Sequence, residues 1–359
     1  MFPPTLIPYR FRVLSREAAL VAWAAIGGAL FALLEIPAAW LSGSMLLVSV
    51  IGVARPLPDL RKPWFDSTMV MSGALIGSAA TPEALAATAR YPGSLFILVV
   101  GLVAIMLTTG AYLRFVARWS WIDSLLAAAP GALSTVIAVA ESKGANLGRI
   151  AAIQLFRILV LIAVLPSIMK LTGAGDAGAG GAPPVAQIIG LGDMVLLLGC
   201  ALATGIVFER LRVTAPYILG ATLASTVLYG SGTVHGTFPP EIAMAVMVML
   251  GAAMGGRVSK LQRNEIAALF PLAIGGFLVS MLVAFAFAWP AAWLAGVPYA
   301  SAMAAFAPGG LEAMAMLAFA MGLDPLYVGA HHLVRFMLVG LSMPFVIGWL
   351  KPEKPPPES

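Results

Sequence analysis

The chain has 359 residues, 60% hydrophobic and 10% charged, with a mean hydropathy of +0.96; a soluble domain carries roughly 25% charged residues, so a water-soluble globular protein is excluded. The single cysteine, Cys200, excludes an internal disulfide, a multi-thiolate zinc site and an iron–sulfur cluster, and only His235, His331 and His332 could offer imidazole to a metal. The net charge of +5 needs no nucleic acid to explain it, because the basic residues concentrate in short loops, as at the cytoplasmic edges of a membrane protein.

The N-terminus reads Met1-Phe2-Pro3-Pro4 and then Arg10, Arg12 and Arg16. No small-x-small cleavage site follows, so the first helix is expected to remain in the mature protein. A spanning helix needs about 20 apolar residues. In the first half such helices are expected near residues 17–35, 37–54, 66–82, 92–114 and 146–169. In the second half they are expected near 192–209, 215–230, 239–256, 266–290 and 325–349. Several are short, as fits tilted or interior helices packed through Gly and Ala.

Two apolar stretches remain, 121–142 and 298–321, and no helix can run straight through either. The first carries Pro130-Gly131-Ala132 and the second Pro308-Gly309-Gly310. Proline lacks a donor and clashes with the preceding turn, and glycine loosens the backbone. Each remaining leg is too short to cross a hydrocarbon core of roughly 30 Å at about 1.5 Å per residue. These stretches read as re-entrant hairpins or broken helices, tolerated at membrane depth only where protein or a watery cavity covers them.

The second break lies 178 residues after the first (308 minus 130), and the same offset places Gly144 on Gly322, Arg157 on Arg335 and Pro166 on Pro344. Met71, Gly73 and Gly77 fall likewise on Met249, Gly251 and Gly255. Apolar composition alone does not align these, so the chain reads as a duplication. The expected organisation is repeat 1 over 1–170, a Gly/Ala/Pro linker over 171–190, repeat 2 over 191–350 and a cytoplasmic tail over 351–359. Basic residues at 10–16, 55–62, 114–118, 210–212, 257–263 and 351–354 mark the inner face, with Arg90 and Lys170 as exceptions. Five crossings plus a hairpin is an odd number, so the second copy enters upside down. The expected fold class is an all-α polytopic membrane protein of two inverted-topology repeats, each of about five transmembrane helices plus a broken hairpin. Both termini are then cytoplasmic.

Arg157 and Arg335 sit midway along their helices, where a charge costs roughly 2.5–3.5 kcal/mol to insert. Either they meet an anionic solute with planar, bidentate donors, or they bond hairpin carbonyls or acids such as Glu141 and Glu312. The half-helix N-termini at the two breaks suit an anion. The expected binding residues are Pro130, Gly131, Ser134, Arg157, Pro308, Gly309, Gly310 and Arg335. Glu312 follows the second break where the first has Ser134. It either caps the helix or couples transport to H⁺ or Na⁺. His332, three residues before Arg335, is a second coupling candidate, against an interior His bonded to a carbonyl. No Glu-x-x-His pair, P-loop, Ser-His-Asp pattern or basic helix-turn-helix is present.

The doubled Pro-Gly-[Gly/Ala]-Leu, with a Gly about a dozen residues on and then Arg, resembles the membrane AbrB family over about residues 17–350. The segment Pro308-Gly309-Gly310-Leu311-x-Ala-Met314 is its most specific part. The resemblance implies a multi-pass protein of the bacterial inner membrane built on this duplication. The family shares its name with a soluble DNA-binding regulator that this chain does not resemble. Its members carry labels as different as ammonia monooxygenase and regulator of gene expression. A copper monooxygenase needs a His cluster that three His residues do not supply. The expected function is a non-enzymatic secondary transporter of a small anionic solute, without a cofactor and compatible with a homodimer. The alternative is a membrane protein that influences gene expression through a partner. An integral membrane oxidoreductase is the weakest reading.

Overall fold

A computed structural model describes residues 9–55, 57–80, 86, 88–131, 133–171, 187–213, 215–258 and 263–350. Residues 172–186 of the linker expected over 171–190, and the tail over 351–359, lie outside them. The described chain is all-helical. Fourteen α-helices follow in order: α1 Tyr9–Leu33, α2 Ala39–Ala54, α3 Lys62–Gly77, α4 Tyr91–Val116, α5 Trp121–Ala128, α6 Leu133–Ser142, α7 Leu147–Leu171, α8 Leu191–Arg210, α9 Pro216–Gly230, α10 Pro240–Val258, α11 Arg263–Ala295, α12 Tyr299–Phe306, α13 Leu311–Ala320 and α14 Pro325–Trp349.

Among the described residues, six stretches are long and apolar enough to cross a membrane: Arg16–Leu33, Thr88–Val116, Leu147–Leu171, Leu191–Arg210, Ala268–Ala295 and Pro325–Trp349. Their outer faces carry exposed Phe96, Phe115, Leu282, Trp289 and Trp293. So much apolar surface is stable only against lipid. The remaining long helices, α2, α3, α9 and α10, have 16, 16, 15 and 19 residues, and each buries one face against a neighbour. Glycine makes their contacts: a Cβ on Gly73 or Gly77 of α3 would strike α9, and one on Gly251 or Gly255 of α10 would strike α2. Such backbone-to-backbone approach is how helices associate where the hydrophobic effect supplies no drive.

These contacts give directions. Gly73 meets Ile218 and Ala221, and Gly77 meets Ser225, so α3 and α9 run parallel. Gly251 meets Leu41 and Ser44, and Gly255 meets Val48, so α2 and α10 run parallel. Gly93 meets Leu294, Gly101 meets Phe287 and Gly275 meets Tyr112, so α4 and α11 run antiparallel.

The helix ends also sort by their polar contacts. Glu17 binds Arg61 at 2.8 Å, Lys62 binds Glu209 at 2.9 Å and the Tyr217 hydroxyl donates to Glu209 at 2.7 Å. The starts of α3 and α9, the early part of α1 and the end of α8 therefore meet. At the start of α4, the Tyr91 hydroxyl donates to Asp324 at 2.9 Å, beside the start of α14. Arg90 there lies against Gly296, just past α11.

Helices α12, α13 and α14 begin 178 residues after α5, α6 and α7 (299, 311 and 325 against 121, 133 and 147). Left-handed backbone recurs at the same distance. Arg118 and Gly296 have φ 56° and 65°, and Gly144 and Gly322 have φ 65° and 66°. With one residue of slip, Glu35 and Arg212 have φ 53° and 56°, and Ala38 and Ala215 both have φ 51°. Residues other than Gly, Asn and Asp seldom adopt this conformation.

Candidate functional site

Both breaks form for the reason the proline supplies. A residue before proline is pushed out of the helical region. Ala129 accordingly has ψ 120° and Ala307 ψ 135°, ending α5 and α12. After the second break the chain turns tightly, with the Gly309 N–H donating to the Ala307 carbonyl at 2.8 Å. Gly131 takes φ +85°, a conformation glycine alone adopts freely. The carbonyls at the ends of the two short helices then lack intrahelical partners.

The two buried arginines supply those partners. Arg157 donates through Nη1 to the Ala128 carbonyl and through Nη2 to the Ala129 carbonyl, both at 3.1 Å. Arg335 donates through Nη1 to the Ala307 carbonyl at 2.6 Å and through Nη2 to the Gly309 carbonyl. A cation at a helix C-terminus is also favoured by the dipole. Three residues nearer each helix start, the pattern repeats with a different side chain. Gln154 Nε2 donates to the Leu126 carbonyl at 2.8 Å, and His332 Nε2 faces the Ala304 carbonyl at 2.9 Å.

The carbonyl can only accept, so His332 Nε2 carries the hydrogen. Its Nδ1 then accepts from Arg335 Nη2. The ring is in the neutral form with both nitrogens engaged. His332→Gln should therefore preserve the Ala304 bond and leave thermal stability within about 1 kcal/mol of the native protein, whereas His332→Ala orphans that carbonyl and costs about 1–3 kcal/mol. Thermal melting of the purified variants checks both.

Neither arginine has a carboxylate partner among the described residues. Of the acids expected to neutralise them, Glu141 is exposed and Glu312 lies 3.7 Å from Arg257 of α10. Of the structural partners expected for the arginines, hairpin carbonyls or acids, the guanidiniums hold the main-chain carbonyls. Each Nε–H is buried without a hydrogen-bond partner, and Arg335 Nε lies 4.0 Å from where a Cβ on Gly131, at the first break, would sit.

A cavity of about 780 Å³ opens here. It is lined by Gly131 from one break and by Gly309, Gly310 and Glu312 from the other, with Gln154, His332 and Arg335 between them. Gly310 caps α13 with no side-chain hydrogen bond, which leaves free N–H groups at that helix start. Arg157, Pro130 and Pro308 are not part of the lining; they sit behind it and shape the breaks. The Ser134 side chain lies outside the described residues.

The mouth carries groups that sequence reasoning did not single out. Lys62 binds Asp66 at 2.7 Å and Glu209 at 2.9 Å. Tyr217 and Arg257 line the same opening, and Arg257 lies over the Phe65 ring. Lys62 and Asp66 stand four apart on one helix face, a legible pairing. Arg257 reads in the sequence only as one more loop cation. A second polar cluster lies beneath the opposite end. Ser94 Oγ is 2.8 Å from His331 Nε2, and His331 Nδ1 is 2.8 Å from the Tyr327 carbonyl. No group of three or more His, Cys, Asp or Glu that could hold a metal occurs among the described residues.

A family model described as "Transition state regulatory protein AbrB" matches residues 40–351. A protein of Bacillus subtilis (strain 168) named "Uncharacterized protein YhjN" is 24% identical over 356 residues, covering 92% of each chain. A protein of Escherichia coli (strain K12) named "Putative regulator AbrB" is 22% identical over 338 residues, covering 90% of this chain and 93% of its own.

Proposed function

The chain belongs to the AbrB family, and from that premise we propose that it is a secondary transporter of a small anionic solute, working by alternating access between two inverted repeats. One observation carries the reading: both helix breaks open on a single cavity that contains Arg335, a buried cation with no carboxylate partner among the described residues. A positive group held ready by carbonyls, beside the free N–H groups of a helix start, suits an anion.

The duplication is supported by the recurring element starts and left-handed residues. The inversion is supported by α4 and α11, which correspond at the 178-residue offset (91 to 269) and run antiparallel. In such an arrangement the binding site falls at the interface of the halves, near the membrane midplane. The Lys62, Glu209 and Arg257 end corresponds to the cytoplasmic face by the distribution of basic residues, so the cavity opens inward.

The test is exchange in proteoliposomes. Vesicles holding the purified protein and loaded with unlabelled small monocarboxylates should take up the labelled anion faster than protein-free vesicles. Absence of exchange across a panel of small anions overturns the proposal. The printed names of the family model and the Escherichia coli relative favour a second reading, a membrane regulator acting through a partner. A change in gene expression that survives in a variant without flux would support it.

A further inference from the structure

Resting on that transporter reading, we infer that the solute is a monoanion carried together with one proton, that Glu312 holds the proton, and that Arg257 is the cation Glu312 releases. Among the described residues six charged groups line the cavity: Lys62, Arg257 and Arg335 against Asp66, Glu209 and Glu312. Lys62 is committed to Asp66 and Glu209 through hydrogen bonds of 2.7 and 2.9 Å. Arg257 and Glu312 approach only to 3.7 Å, outside hydrogen-bond range. Arg335 is 2% exposed and its Nε–H has no partner.

These three cations and three carboxylates balance one another. An anion that enters while Glu312 is ionised adds an unbalanced negative charge, which is costly where the dielectric is low. Protonation of Glu312 converts its carboxylate to the acid, releases Arg257 and leaves a single positive charge. One monoanion then restores neutrality and a dianion does not. Both charges cross together, and the proton returns to water when the anion leaves.

The groups that share the cavity with Glu312 narrow the carrier. From α3 they are Lys62 and Asp66, already paired; from α8, Glu209, held by Lys62; from α9, Tyr217, bonded to Glu209; from α14, Arg335 and His332. His332 has both nitrogens engaged and no vacant position for a proton. Sodium would have to sit beside Arg257 and gather several oxygen ligands, whereas a proton needs one carboxylate oxygen.

The experiment uses proteoliposomes with the native protein, Glu312→Gln and Glu312→Asp. The probes are labelled pyruvate, lactate, glycolate and nitrate, with succinate as the dianion. With the native protein, a one-unit pH gradient should concentrate a monoanion about tenfold on the alkaline side, and succinate should not accumulate. Glu312→Gln should exchange the monoanion at a rate no longer dependent on pH, with an accumulation ratio near one, and Glu312→Asp should restore accumulation. Accumulation by Glu312→Gln under the same gradient, or native exchange indifferent to pH, overturns the coupling and leaves the transport reading standing. Native protein that moves none of the five probes overturns the transport reading, and this inference with it.

Discussion

Arg335→Lys is expected to reduce solute flux at least 100-fold while the protein still folds, and Arg157→Lys to reduce it less than tenfold. The two arginines do similar structural work: Arg157 clamps two carbonyls at the end of α5, and Arg335 clamps one at the end of α12 and one in the turn that follows. They differ in what lies in front of them, since Arg335 lines the cavity and Arg157 does not. Lysine keeps the charge but loses the planar fork, so it satisfies one carbonyl where arginine satisfies two. Alanine at either position abandons two charge-assisted bonds, each worth about 1.5–3 kcal/mol, and both alanine variants should melt well below the native protein. Comparing melting temperature with flux for the four variants separates the roles. Equal flux losses at the two positions, in proportion to lost stability, would mean that Arg335 only holds the break together.

Much of this site is legible in the sequence because it is built from residues that break rules. Proline and glycine inside apolar stretches, and arginine at membrane depth, have few innocent explanations, and they locate both breaks and both clamps. The partners of the arginines are less legible. A main-chain carbonyl freed by a proline two residues on leaves no mark in composition, whereas a nearby acid such as Glu312 does. The sequence therefore leaves carbonyl and acid partners both open, and Glu312 faces Arg257 instead. The mouth of the cavity is hidden for a different reason. Lys62, Glu209 and Arg257 come from α3, α8 and α10, and only packing brings them together. A cation at a helix end is what the positive-inside tendency provides in any case, so nothing in its position sets Arg257 apart from Arg210 or Arg212.

Residues that share a backbone conformation at corresponding places in the two copies should lie on opposite sides of the membrane. Glu35 and Arg212, both exposed and both left-handed at φ 53° and 56°, supply the test. Arg212 follows the end of α8, where Glu209 meets Lys62. Glu35 lies beyond the far end of α1, whose early residue Glu17 binds Arg61 next to that same lysine. The sixteen steps of helix from Glu17 to Leu33 rise about 24 Å, most of a hydrocarbon core. With Cys200 replaced by Ser, a cysteine at position 212 should react with a membrane-impermeant thiol reagent only from the cytoplasmic side, and one at position 35 only from outside. Labelling of both from one side would place the copies in parallel. Arg335 and Gly131 would then share a cavity without the symmetry that lets one packing of the halves face inward and its mirror face outward, and alternating access would need a different physical basis.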